Sequence, residues 1–447
     1  MNKNSLFLDK INGFIISILI LGSYIIRQLV YIKDKESTTD KIIMIIIILS
    51  VALFFYWKDL RSKNLFYDTM FFLCIFCLYY LYMDFYINNF PIFLFVLLFL
   101  SIFISYKKGI RNRNYLFLFL IFFIMLFMLN IIIVGVKNGA YSESKIKGFL
   151  LYSVVPSFYI IAIANERNLR WSKKFLWYIC LFILIVGVEN YFKDHILYTS
   201  EVMKLSIDYI STSFIFGAIF LYIFFEKLIF QRKKIYLFLL PIVLFFMLLT
   251  GSRGPLISLL ITLSIYFLMA FNNKKKLIFA IFILVFTIFF IHTNFFINTL
   301  NRFPGFDRIY YTITEYYKSG MQIEYISSGR EYHYSKAIKE FYNRPIFGVG
   351  IGTDETPGEY AHNSFLEIAS QLGVFALFIF SLIIIIWVFQ FYRSEKKGIS
   401  CFRFFKYLFL YFLVQSLFSG SILFNYSFWA ILTLSGVIFY IELKKTI

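Results

Sequence analysis

Four short motifs hold the residue types able to do chemistry in this chain. They are Thr250-Gly251-Ser252-Arg253-Gly254-Pro255, Ser328-Gly329-Arg330-Glu331, Arg344-Pro345 followed by Gly348-Val349-Gly350-Ile351-Gly352, and Ala361-His362-Asn363-Ser364. Three of them fall in one polar island between residues 294 and 363. Arginine in such settings suits an oxyanion, because its planar fork makes bidentate contacts to phosphate oxygens. Histidine is the side chain that changes charge near neutral pH. Asn363 and Ser364 read as caps of the apolar run that follows, so His362 would stand at a helix N-terminus. That position and nearby arginines should depress its pKa and leave it a neutral proton acceptor at pH 7.

Arg253 lies in a tight turn between two apolar runs, and Pro255 suits the first helical position of the second. Backbone N–H groups and a guanidinium then meet at one helix start, which makes an anion site. An interfacial anchor is the alternative reading of Arg253. Ser328-x-x-Glu331 has the capping-box pattern, with Tyr334, Ala337, Ile338 and Phe341 following at helical spacing. Arg330 would sit in the first turn of that helix, opposing its dipole unless an anion lies close. Arg344 ends the same helix, where it is placed to satisfy the last carbonyls, and counts as a supporting residue. His333 reads as structural, and His195 and His292 have no partners. Gly348, Gly350 and Gly352 match neither the P-loop nor the dinucleotide spacing and read as turn glycines with positive φ. No histidine or carboxylate grouping has metal-ligand spacing, so no metal and no cofactor is expected.

The elements around these residues are apolar. Hydrophobic residues make up 60% of the 447, and charged residues only 15%, against about 25% in soluble domains. The chain reads as an all-α polytopic membrane protein. Windows near 11–31, 41–57, 66–83, 90–106, 114–134, 147–164, 174–189, 207–227, 235–250, 254–271, 275–292, 365–391, 403–419 and 421–441 give about fourteen transmembrane helices. The first of them has no small-residue cleavage site after it and reads as an uncleaved span.

The organisation expected is a transmembrane bundle over 1–292, an extracytoplasmic helical loop carrying the site over 293–364, and C-terminal spans over 365–447. The net charge of +19 sits in short loops such as 107–113, 167–174, 232–234, 274–276 and 393–403. That is the positive-inside pattern rather than a nucleic-acid surface. It puts both termini in the cytoplasm and the polar island outside, beyond the reach of ATP and sugar nucleotides. The span interiors read as nearly free of charge, with Asp84, Glu189, Asp208 and Glu226 at ends, which disfavours an ion-coupled transporter. Cys74, Cys77, Cys180 and Cys401 read as inert thiols.

Taken in order, Gly-Ser-Arg-Gly opening a span, Ser-Gly-Arg in the large loop, Pro345 before Gly348-x-Gly350, and His362-Asn363 before a long span resemble the O-antigen ligase and O-antigen polymerase superfamily. The likeness covers about residues 235–390, with Tyr332 and Tyr334 where the family pattern has a tryptophan. It implies a GT-C-like, metal-independent glycosyltransferase of a bacterial plasma membrane. The donor would be a glycan on undecaprenyl diphosphate, and the acceptor a second lipid-linked glycan or another lipid. A flippase and a chain-length regulator of the same pathway would be partners. Arg253 and Arg330 would hold the diphosphate, His362 would take the acceptor proton, and Asn363 would position the imidazole or the acceptor. Tyr310, Tyr311, Tyr316 and Tyr317 would stack on sugars or lie on the membrane. Polymerase is favoured over ligase, because ligase acceptors exist only in some organisms. A flippase of lipid-linked oligosaccharide and a non-catalytic envelope scaffold are the competing readings.

Overall fold

The computed structural model describes residues 115–136, 140–164, 209–249, 253–270, 330–352, 360–396, 402–418, 420–423 and 425–444, with scattered positions between 166 and 180. The expected spans before residue 114, that near 275–292, the tyrosine pairs at 310–317, His195, His292, Ser328, Cys74, Cys77 and Cys401 lie outside the described residues. The chain divides into two compact units, and the unit that holds the site is made of Cys77–Ala162 and Ser206–Ile447.

Among the described residues the unit is built only of helices. We label them α1 (Tyr115–Val134), α2 (Ala140–Gly148), α3 (Val155–Ile163), α4 (Tyr209–Tyr222), α5 (Leu239–Leu249), α6 (Arg253–Ala270), α7 (Arg330–Asn343), α8 (Ser364–Lys396), α9 (Arg403–Ser416) and α10 (Tyr426–Lys444). A wide π-helical stretch, Phe149–Val154, joins α2 to α3, and a second, Ile223–Phe230, extends α4. All of these helices except the polar α2 and α7 fall on the apolar windows of the sequence, because uninterrupted Phe, Ile and Leu runs leave the backbone no partner but itself. Two are long and apolar enough to cross a membrane, Ser213–Phe230 and Ser364–Lys396.

Large apolar side chains are exposed along the two longest helices. On α1, Leu118, Phe122, Met125, Leu129 and Ile132 are exposed at heptad-like spacing, and on α8 so are Phe375, Phe378, Ile385, Phe389 and Tyr392. Stripes of this size on a soluble protein would drive association. The inside is aromatic. Phe123 packs on Phe149, Phe380 and Trp429, with centroids 6.2, 6.1 and 5.1 Å away. Each buried indole finds a hydrogen-bond acceptor: Trp387 Nε1 donates to Ser435 Oγ at 2.7 Å and Trp429 Nε1 to the Ile422 carbonyl at 2.9 Å.

Charge is buried near the ends of several helices. Lys406 is fully buried and pairs with Glu395 at 2.9 Å and Glu442 at 3.2 Å, while Arg403 pairs with Glu395 at 3.1 Å. This cluster ties the C-terminal ends of α8 and α10 to the start of α9. At the other end Lys145 and Glu367 form a buried pair at 2.8 Å. The groups escaped the sequence reading because each lies near a helix end yet is covered by a neighbouring helix. All are paired, as buried charges must be.

Candidate functional site

His362 stands between the described loop residues Tyr360 and Ala361 and the first turn of α8. Its backbone is left-handed, with φ 49°. Histidine is among the few non-glycine residues that visit this region, at a cost of about 1–3 kcal/mol that the surroundings must hold down. Asn363 does much of the holding. Its Oδ1 accepts from the backbone N–H of Phe365 at 3.0 Å and of Leu366 at 3.2 Å, which is an N-cap. Its Nδ2 donates to the Leu417 carbonyl at 3.3 Å, and Ser364 Oγ meets Ser416 Oγ at 3.1 Å. Both ends of the Asn363 amide are thus committed to fixing the turn.

One helical turn further, Glu367 completes the clamp. It accepts from Lys145 of α2, from the Ser421 hydroxyl, and from the Ile422 N–H at 2.7 Å. The start of α8 is therefore fastened to α2 and to the α9–α10 connection by one saturated carboxylate.

A second device brings α7 to the same place. Helix α8 is broken at Gly373, where φ is 80° and ψ −175°. The loop after α7 threads into the break. Val374 N–H donates to the Pro345 carbonyl at 2.8 Å, Val349 N–H to Ser370 at 2.8 Å, and Gly350 N–H to Gln371 at 3.1 Å. Asn130 Nδ2 reaches the carbonyls of Phe347 and Gln371 from α1. The fit is backbone against backbone. A Cβ on Gly373 would stand 2.1 Å from the Ile346 oxygen, and one on Gly348 2.5 Å from the Gln371 oxygen. Gly348, Gly350 and Gly352 all have positive φ, as turn glycines do.

So anchored, α7 packs along α8 with Arg330, His333 and Ala337 on its inner side. The His333 ring lies 5.6 Å from that of His362, nearly edge-on. Tyr360 covers His362 at a centroid distance of 4.2 Å. The Nδ1 atoms of both histidines are buried without a hydrogen-bond partner. Burial, then the Arg330 guanidinium, then His333 push the His362 pKa down to about 4. Burial, then the Glu367 carboxylate, push the Tyr360 hydroxyl up to about 12, against the opposing effect of Arg330 and Lys145. At neutral pH the site holds a neutral imidazole and a neutral phenol beside a fixed cation.

The other sequence candidates fall as follows. Arg253 is the first residue of α6, with Pro255 in the first turn. Helix α6 runs antiparallel to α9: near its far end Tyr266 lies 5.5 Å from Tyr407 and under the Arg403 guanidinium at 5.9 Å. Thirteen residues of helix, about 20 Å, separate Arg253 from Tyr266, and the same length separates Arg403 from Ser416. The start of α6 therefore lies toward the end of α9 that carries Ser416 and Leu417, the residues that hold Ser364 and Asn363. Arg344 goes elsewhere. It follows the last residue of α7, is exposed, and stands about 20 Å along the helix from Arg330. The structure brings Arg330, His333, Tyr360 and His362 together, with the start of α6 at the same end and Arg344 apart.

His333 and Tyr360 were the residues missed. His333 carried a signal, since it follows Arg330 by three positions and must share its helical face. The Lys145–Glu367 pair carried none, its members being 222 positions apart.

Residues 236–381 match the family described as O-Antigen ligase. The matched segment runs from just before α5 to the middle of α8 and includes Arg253, Arg330, Arg344 and His362. No curated protein matches the chain. The segment 236–381 is thus similar to the O-antigen ligase family.

Proposed function

We propose that this chain is a glycosyltransferase that polymerises undecaprenyl-diphosphate-linked oligosaccharide repeat units at the outer face of a bacterial plasma membrane. The observation that carries the reading is the half-buried neutral imidazole of His362 beside the Arg330 guanidinium, inside a segment matching the O-antigen ligase family. His362 takes the proton of an acceptor hydroxyl as the oxygen attacks the anomeric carbon. The bond from that carbon to the diphosphate breaks, and its electron pair stays on phosphate oxygen. Arg330, with Arg253 from the start of α6, stabilises the charge of the leaving diphosphate. Asn363 acts on the imidazole through the backbone turn it caps. Imidazole and guanidinium supply both proton transfer and charge stabilisation, so the step needs no metal. A separate flippase would deliver the donor.

The polar island is outside in this reading because the basic loops are placed inside. Full-length protein in detergent, given lipid-diphosphate-linked repeat units, should yield glycans of two or more repeats and release the carrier diphosphate. A flippase or scaffold would leave the donor intact in detergent. Transfer only to an added lipid acceptor, with no elongation, would replace the polymerase by a ligase.

A further inference from the structure

The site has an electrostatic imbalance that bears on when it becomes active, granted the reading just given. A general base works best with a pKa near the operating pH. His362 is held far below that range, at about 4. Among the described residues, each group that faces it is cationic, neutral or already paired. From α7 come Arg330 and His333, the latter with the Tyr332 ring 5.5 Å from its own. From its own loop comes the neutral Tyr360 phenol. From α8 comes Glu367, saturated by Lys145 of α2, Ser421 and Ile422. Tyr141 of α2 adds only a second phenol near Tyr360, and Glu331 lies on the exposed side of α7. Among the described residues Arg330 makes no ion pair, and both imidazoles keep a buried Nδ1 without a partner.

We propose that the anion completing this cluster is the donor's own diphosphate, which pairs with Arg330 beside the His333–His362 imidazole pair and makes His362 a competent base only in the donor-bound state. One negative charge about 5 Å from an imidazole, at an effective dielectric of about 20, brings a pKa near 4 up to about 6. The donor thereby arms the group that attacks it, and an acceptor bound alone meets an inert imidazole. In the armed state the acceptor O–H bond breaks, its proton goes to His362, and its oxygen pair forms the glycosidic bond. The departing electron pair remains on the carrier diphosphate. The proton leaves to water with the products. His333 is a positioning and tuning residue: it sets how far His362 is depressed before the donor arrives.

The test uses full-length protein and farnesyl-diphosphate-linked N-acetylglucosamine, a diphosphate diester that does not itself titrate near neutrality. Binding is measured by calorimetry at about pH 5.5 in two buffers of different ionisation enthalpy. The proposal expects net uptake of a large fraction of one proton on binding. His362→Gln should bind the probe with that uptake lost. His333→Phe, which keeps a ring of similar shape, should bind with uptake retained but centred at a higher pH, because His362 is less depressed both free and bound. Binding without proton uptake, or uptake undiminished in His362→Gln, would overturn the proposal while leaving the glycosyltransferase reading intact. Absence of probe binding would remove both.

Discussion

His362 combines three properties that rarely coincide on one side chain: a left-handed backbone, a buried unpartnered Nδ1, and a cation next to it. The depressed pKa fixes the sign of its pH dependence. The active form is the neutral one, so kcat/KM, which reports free enzyme, should stay level as pH falls and drop only near about 4. The kcat profile, which reports the donor complex, should lose activity at a higher pH, near about 6. Coincident acid limbs would contradict donor arming. Replacing Arg330 by Gln removes the second of the causes that hold His362 down and should move the kcat/KM limb upward while lowering the rate. Arg330→Lys keeps that limb low but loses bidentate contact, and should still lose at least about tenfold in kcat/KM. The residue types at 253, 330 and 362 were legible in the sequence because arginine, histidine and glycine are conspicuous among Phe and Ile. That Arg344 stands apart was not, since only the length and direction of α7 decide it.

Two elements position the site, and each can be tested separately. The broken α8 accepts the Pro345–Gly350 loop, so Gly348→Ala and Gly373→Ala both force a Cβ into backbone. Either should lower the melting temperature and reduce transfer by undocking α7, with the helix content of the bundle kept. A clash-free Ala at Gly420, where a Cβ meets nothing within 4 Å, shares the positive φ and isolates the strain. The Lys145–Glu367 clamp should behave as a buried pair. Lys145→Met alone leaves a buried carboxylate uncompensated and should cost about 3–5 kcal/mol, whereas adding Glu367→Leu should recover only part of it, because Ser421 and the Ile422 N–H then lose their acceptor. Chemical denaturation of the two variants checks this. Helix positions were readable from apolar run length, and the capping role of Asn363 from its place before such a run. The break at Gly373 was not readable, because a lone glycine in a long apolar run is normally tolerated; it is decided by the loop that fills it.

On the scale of the whole molecule, exposed apolar stripes on α1 and α8 and basic short loops are the features that a bundle embedded in a bilayer would carry. The orientation proposed can be read directly in a cysteine-free background. Tyr342→Cys, on the exposed side of α7, should react with an impermeant maleimide in intact cells, and Lys396→Cys, at the far end of α8, only after lysis. The reverse pattern would put the site in the cytoplasm and exclude an exported donor. Pathway-level properties such as the sugar and its linkage have no counterpart in the described helices. The central claim is that the His362 imidazole performs the proton transfer of a glycosyl transfer. Purified wild-type protein and His362→Ala, shown to be equally folded by melting temperature, are compared for elongation of a lipid-diphosphate-linked repeat unit. The account predicts a loss of about 10²–10⁴-fold in the variant, with donor still bound. Elongation at the wild-type rate and chain length in His362→Ala would contradict it.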